Sequence, residues 1–146
     1  MRFDGEWLLC DDGVARPVLR CEILASDRSW RAAELLIDSG ADRTVLSANV
    51  LKSLRKETGP PAASIGGIGG TADVVSVETE LRFTRADSVK VLFRGGDYLA
   101  CTNPESLDMS VLGRDVLEMF AVIVDRRGDT VCLLGGRHRY TITENS

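Results

Sequence analysis

A chain of 146 residues, 44% hydrophobic and 27% charged, fits one soluble globular domain able to bury a core. Its formal net charge of −4 argues against a dedicated nucleic-acid binder, because the basic residues are scattered apart from Arg126-Arg127 and Arg137-His138-Arg139. The four cysteines form no Cys-x-x-Cys pair and His138 is the one histidine, so neither a structural zinc site nor a disulfide framework is indicated. The cysteines read as thiols in a reducing compartment. Met1 to Cys10 carries Asp4 and Glu6 and lacks the apolar core of a signal peptide. No apolar run approaches the ~20 residues of a membrane span. A cytoplasmic address without membrane insertion is therefore expected.

Asp11-Asp12-Gly13 reads as a turn. Residues 17–25 partly alternate apolar and polar, a strand signal, and Ser26-Asp27-Arg28-Ser29 reads as the turn after it. Trp30 to Ile37 is a second strand. Its end, Leu35-Leu36-Ile37, is continuously apolar, which predicts burial on both faces. Thr44-Val45-Leu46 resumes an extended, β-branched stretch. Ser47 is placed to cap a short helix over Ala48 to Lys56, with Val50, Leu51 and Leu54 at helical spacing, and Gly59-Pro60-Pro61 is expected to stop it.

Residues 62–71 are small and glycine-rich. Val74, Val75 and Val77 lead a strand to about Phe83. Val89 to Phe93 is another, which Gly95-Gly96 should break, leaving Tyr98 to Cys101 as a separate short strand. Asn103-Pro104 opens a loop that delivers Val111-Leu112, and a short helix follows from Arg114 to Met119. Phe120 to Asp125 and Thr130 to Leu134 read as a hairpin across Arg126-Arg127-Gly128-Asp129. A last strand is expected around Tyr140 to Thr143. Many short strands with one or two short helices, and no internal repeat, predict a mostly-β, barrel-like domain.

The chemistry concentrates in Leu35-Leu36-Ile37-Asp38-Ser39-Gly40-Ala41-Asp42. An apolar strand runs into an acid, a hydroxyl and a glycine, so one carboxylate sits on a tight turn at the mouth of a core. Hydrolysing an amide with water needs a base, and also an acid to polarise the carbonyl and protonate the leaving nitrogen. Two adjacent carboxylates sharing one proton meet both needs, because like charges so close do not both ionise. Asp38-Ser39-Gly40 is the one such tripeptide here, since Asp11-Asp12-Gly13 lacks the hydroxyl. A second carboxylate would then come from a second copy, which a two-fold axis supplies.

Two more motifs follow in order: Ile65-Gly66-Gly67-Ile68-Gly69-Gly70, and Val111-Leu112-Gly113-Arg114-Asp115-Val116-Leu117. With the Asp38 segment and Thr44-Val45-Leu46, they make the chain resemble the retropepsin-like aspartic proteases, the single-lobed class that includes retroviral proteases. The resemblance covers roughly residues 17–134. The first 16 residues and the tail after Gly135 match no part of it, and the insertion of a helix-like stretch between Leu46 and Pro60 makes the chain longer than compact viral relatives.

The resemblance implies a single-lobe β-barrel with a glycine-rich flap, forming a two-fold homodimer that hydrolyses polypeptides without metal or organic cofactor. It makes Asp38 the catalytic aspartate, and Ser39 the hydroxyl that hydrogen-bonds across the axis. Gly40 would allow close backbone approach and offer a carbonyl to substrate. Ala41 and Asp42 would flank the substrate backbone. In the flap, Gly66 and Gly67 would bring backbone N–H groups to the substrate, with Ile68 at the tip. Ile65 and Val111 would line side-chain pockets, and Arg114 would brace the catalytic loop by pairing with Asp42. The substrate would lie extended, held as an added strand. Two rivals stand beside this reading. The same fold could serve as a non-proteolytic peptide-binding or dimerisation module, or a hydrolase could pair Cys101 or Cys132 with His138. A phosphate-binding reading of the glycine run lacks the Lys-Ser or Lys-Thr that would complete it.

Overall fold

The computed structural model describes residues 1–62, 64–67 and 70–145, with the backbone alone at 67, 94 and 95. The chain begins with two short strands that local patterning did not announce, β1 (Arg2–Asp4) and β2 (Glu6–Leu9). A turn follows as expected: Gly13 takes φ +80°, and Asp12 Oδ1 accepts the Val14 N–H at 3.0 Å. Strands β3 (Ala15–Leu24) and β4 (Trp30–Ile37) then form an antiparallel hairpin, in register from Val18↔Leu36 to Leu24↔Trp30. The short β5 (Val45–Leu46) leads to helix α1 (Ala48–Leu54). Ser47 caps α1 by accepting the Val50 N–H at 3.3 Å. The helix ends at Arg55, which adopts the left-handed conformation at φ +52°. The stop therefore comes before Lys56, and Gly59-Pro60-Pro61 lies beyond it.

A small hairpin, β6 (Ile65–Gly67) and β7 (Gly70–Ala72), occupies the glycine-rich segment. Ile68, expected at its tip, lies outside the described residues. Strands β8 (Val74–Thr84) and β9 (Lys90–Cys101) form the longest hairpin. Gly95-Gly96 does not break β9. The strand runs through it, and the irregularity appears as a register shift opposite Thr79 to Leu81, a bulge that absorbs the extra residue while pairing continues. Strand β10 (Ser110–Leu112), helix α2 (Arg114–Leu117), and the hairpin of β11 (Phe120–Asp125) and β12 (Thr130–Gly135) follow. No strand forms at Tyr140 to Thr143; Tyr140 and Ile142 are exposed and find no sheet edge to join.

Seven strands share one sheet in the order β2-β3-β4-β10-β5-β9-β8, and the pairing of β3 with β8 closes it into a barrel. The seam is marked by Glu22, whose carboxylate accepts Arg82 Nε and Nη2 at 3.2 and 2.8 Å and also pairs with Lys90. The Arg82 guanidinium stacks 4.1 Å above the Trp30 ring. Strands β1, β12 and β11 form a separate three-stranded sheet in that order. An edge-packed cluster of Phe3, Phe83, Phe93 and Phe120, with ring centroids 4.7–6.5 Å apart, ties this sheet to the barrel.

Strand β10 runs parallel to β4 and antiparallel to β5, and β5 runs parallel to β9. The registers place Val18, Leu36, Val111, Val45 and Leu99 in one row across five strands. All but Leu36, which is half-buried, are buried. The opposite pleat carries Leu35, Ile37, Leu112 and Leu46, also buried. The apolar end of β4 is thus covered on one face and nearly so on the other, as its composition predicts.

Candidate active site

Asp38 is the first residue beyond β4. Its N–H donates to the Leu112 carbonyl at 3.2 Å, so it forms the last rung of the parallel β4–β10 ladder. The chain then turns: the Ala41 N–H donates to the Asp38 carbonyl at 3.2 Å, and the Gly40 N–H to Asp38 Oδ1 at 2.9 Å. One carboxylate oxygen is thereby held by the backbone. A Cβ on residue 40 would lie 3.1 Å from that oxygen, so glycine keeps the carboxylate uncrowded. Asp38 is half-buried, while Ser39, Gly40 and Asp42 are exposed and Ala41 is half-buried. A rooted carboxylate on an exposed turn is a fit place for activating water.

The loop is locked from below by the chain after β10. Arg114 pairs with Asp42 through Nη2, and its Nη1 donates to the Ser39 carbonyl at 3.1 Å. Its own N–H donates to the Ala41 carbonyl at 2.8 Å, and the Asp115 N–H to that of Asp42 at 3.2 Å. The expected Arg114–Asp42 pairing is present, with three further bonds that motif spacing did not indicate.

A second lock was missed by sequence reasoning altogether. Thr44 is fully buried. Its hydroxyl donates to Asp115 Oδ1 at 2.7 Å and accepts the Gly113 N–H at 3.1 Å, while its own N–H reaches the same carboxylate oxygen at 2.9 Å. That oxygen also takes the Val116 N–H at 3.0 Å, in the first turn of α2. Gly113 makes this crossing possible, since a Cβ there would fall 2.4 Å from the Arg43 carbonyl group. Arg43 donates to the Asp97 carbonyl at 2.7 Å and sits 3.7 Å from the Asp115 carboxylate. Burial, with the Asp115 charge nearby, pushes the Tyr98 phenol up to about 12. The available signal was an acid in a helical first turn and a β-branched hydroxyl at a strand start, each too common to be singled out.

The β6–β7 hairpin stands apart from the main sheet. Its base is tied by the Ala62 N–H donating to the Val74 carbonyl at 2.9 Å, and Gly70 takes φ +116°, which L side chains rarely adopt. Ile65 packs its half-buried side chain on the cluster of Val45, Val74, Leu99 and Cys101. A groove of about 440 Å³ opens between this hairpin and residues 103–107, lined by Ile65, Gly66, Thr71, Asn103, Glu105 and Leu107 among others. Gly66 is exposed, and Gly67 pairs with Gly70 across the hairpin. Val111 is buried in β10 and is not among the residues lining this groove.

Among the described residues no hydrogen bond joins Cys101 or Cys132 to His138. Burial pushes the Cys101 thiol up, which disfavours the thiolate. His138 lies in the exposed tail with Nε2 3.0 Å from the Gly135 carbonyl.

Neither a protein-family model nor a curated protein matches the chain. Solved structures do. The chain is similar to a retropepsin-like aspartic protease from Rickettsia conorii, with a TM-score of 0.56 at 15% sequence identity, over 91% of this chain and 88% of that one. It is also similar to the EIAV protease complexed with the inhibitor HBY-793, with a TM-score of 0.48 at 25% identity, over 70% of this chain and 86% of that one. The chain has the retropepsin-like fold: mostly β, with a closed barrel.

Proposed function

We propose that residues 1–146 act as one aspartic endopeptidase domain, that two copies assemble about a two-fold axis, and that Asp38 from each holds the lytic water. The observation that carries this is the Asp38 carboxylate at the end of the β4–β10 ladder, on a turn locked by Arg114. Support also comes from the retropepsin-like fold and from the single Asp-Ser-Gly, which leaves one copy with half a dyad.

In the paired site one carboxylate is ionised and its twin protonated, because their proximity splits their affinities for a proton. The ionised group takes a proton from water as the water oxygen bonds to the scissile carbonyl carbon. The protonated group gives its proton to the carbonyl oxygen, and a tetrahedral diol forms. The newly protonated carboxyl group then gives its proton to the amide nitrogen while its twin takes one from a diol hydroxyl, so the C–N bond breaks to an amine and a carboxylic acid and the pair again shares one proton. Ser39 holds the two loops in step across the axis, and the carbonyl of Gly40 with the residues Ala41 and Asp42 guides an extended polypeptide. The glycine-rich hairpin covers it, Gly66 and Gly67 offering backbone N–H groups and Ile65 an apolar wall. Val111 lines a side-chain pocket, as Ile65 does. No cofactor takes part, and the setting is the cytoplasm.

Asp38→Asn tests the proposal. The variant should fold and dimerise as the parent does, yet cleave an unstructured protein such as casein at least about a thousandfold more slowly. Fragments at the parent rate, followed by mass spectrometry, would overturn the assignment. Activity per molecule should also fall on dilution, as a site shared between copies requires.

A further inference from the structure

The groove beside the β6–β7 hairpin has an apolar floor and a single charge. Ile65 of the hairpin and Leu107 of the loop after β9 both pack on the cluster of Val45, Val74, Leu99 and Cys101, so its two walls share one foundation. Ala72, half-buried in β7, packs on the same cluster and completes the floor. That cluster leads toward the catalytic turn. Val45 pairs with Val111, Val111 pairs with Leu36, and Asp38 stands two residues beyond Leu36.

Among the described residues, Glu105 is the one charged side chain lining the groove. It is exposed and enters no ion pair with them. Exposed carboxylates elsewhere, such as Asp12, Asp27 and Asp87, have an arginine two or four residues away. Glu105 has no lysine or arginine within eight residues on either side. Asn103 fixes the backbone that carries it: Asn103 Oδ1 accepts the Glu105 N–H at 2.9 Å, and the Asn103 carbonyl accepts the Ser106 N–H at 3.1 Å. A negative charge thus stands on a fixed turn at the rim of an apolar groove, with no cation of its own chain to answer it.

We infer that this groove takes a lysine or arginine side chain of the substrate, with Glu105 selecting the charge. The inference rests on the protease proposed above, and it names the class of polypeptide cut: one with a basic residue within a few positions of the scissile bond. An extended peptide under the hairpin points alternate side chains to the same side, so one of them enters the groove. A lysine or arginine lays its methylene stem along Ile65, Ala72 and Leu107 and keeps its charged head at the rim, where the Glu105 carboxylate stands. A neutral aliphatic residue fills the same floor but leaves the carboxylate unanswered. An acidic residue meets like charge and is selected against.

Mixtures of octapeptides, randomised except at one fixed position, give the test, with fragments read by mass spectrometry. At one position relative to the cut, kcat/KM should favour lysine or arginine over glutamine by roughly threefold to tenfold, because the pair is open to water on one side. The preference should shrink as salt is raised. Glu105→Gln should bring the ratio close to unity, and Glu105→Lys should turn it toward aspartate and glutamate at the same position. Asp87→Asn, in the turn at the far end of the β8–β9 hairpin, should leave the ratio unchanged. Binding of the same mixtures to the Asp38→Asn protein supplies a readout free of cleavage, with the same preference and the same loss once Glu105→Gln is added. A parent that cleaves without basic preference, or a preference kept in Glu105→Gln, would overturn the subsite and leave the protease standing. Glu105-dependent binding by a parent that cleaves nothing would keep the subsite and refute the protease. Neither cleavage nor preference would end both.

Discussion

The turn of residues 38–44 and the β6–β7 hairpin would face the same substrate, yet their backbones are held in opposite ways. The turn is stitched to the chain after β10 by the carbonyls of Ser39, Ala41 and Asp42 and by the buried Thr44–Asp115 contact. The hairpin pairs with itself, and a few bonds near its base join it to β8. A group that must hold a proton-sharing geometry gains from the first arrangement, since small displacements of a reacting atom are costly. A cover that must admit and release a chain gains from the second. Glycine serves both ends. At Gly113 it allows two backbones to touch, and at Gly70 it allows a dihedral that other residues resist.

Breaking the lock should have the largest effect on stability. Gly113→Ala places a methyl against backbone atoms with no flexible side chain to yield, and should cost at least ~3 kcal/mol. Thermal unfolding should show this as a large drop in Tm, with proteolytic activity lost alongside. Thr44→Val comes next. It keeps the shape but leaves the Gly113 N–H without its acceptor and the Asp115 carboxylate short of a donor, for about 1–3 kcal/mol. Denaturant melts should show a lowered midpoint. A Tm equal to the parent would mean that the lock is decorative.

The hairpin should answer differently. Gly70→Ala strains a left-handed position by about 1–2 kcal/mol, but in an element that contributes little to the global core. Its effect should appear as a severalfold change in KM, with Tm within about a degree or two of the parent. If Gly70→Ala instead lowered Tm as far as Thr44→Val, the contrast between the two regions would be lost.

The smallest expected effect concerns pH and lies at the barrel seam, away from both. Hydrogen bonds from Arg82, and then from Lys90, hold the Glu22 carboxyl below its usual range. A carboxylate depressed in the folded state contributes stability that is fully present above its unfolded pKa. That contribution fades as pH falls through the folded value. Glu22→Gln should therefore narrow the gap in Tm to the parent as acid is added, with the gap widest near neutrality. A gap independent of pH would show that the seam is held by packing alone.

Much of this was readable before any coordinates. The strands β3, β4 and β8, the Ser47 cap, the β11–β12 hairpin and the turn at Asp38 depend on residues near one another in the chain. Local periodicity and turn chemistry report them directly. The Arg114–Asp42 pairing was legible too, but through the order of three motifs rather than through any local rule. The failures share a cause. Strand β1 is only three residues long and acquires its identity from β12, near the other end of the chain. Gly95-Gly96 looks like a break until β8 is beside it to carry the pairing across a bulge. The segment from Tyr140 to Thr143 has strand-like residues and no partner.

Sequence by itself determined a mostly-β chain with one carboxylate turn at the end of an apolar strand and one glycine-rich hairpin, because each is written within a few neighbouring residues. Only the tertiary structure decided which strands close the barrel, that Thr44 and Asp115 meet across 71 residues, and that Glu105 lines the groove beside the β6–β7 hairpin. Those depend on contacts between distant parts of the chain, whose partners become definite when the sheet closes and the core excludes water.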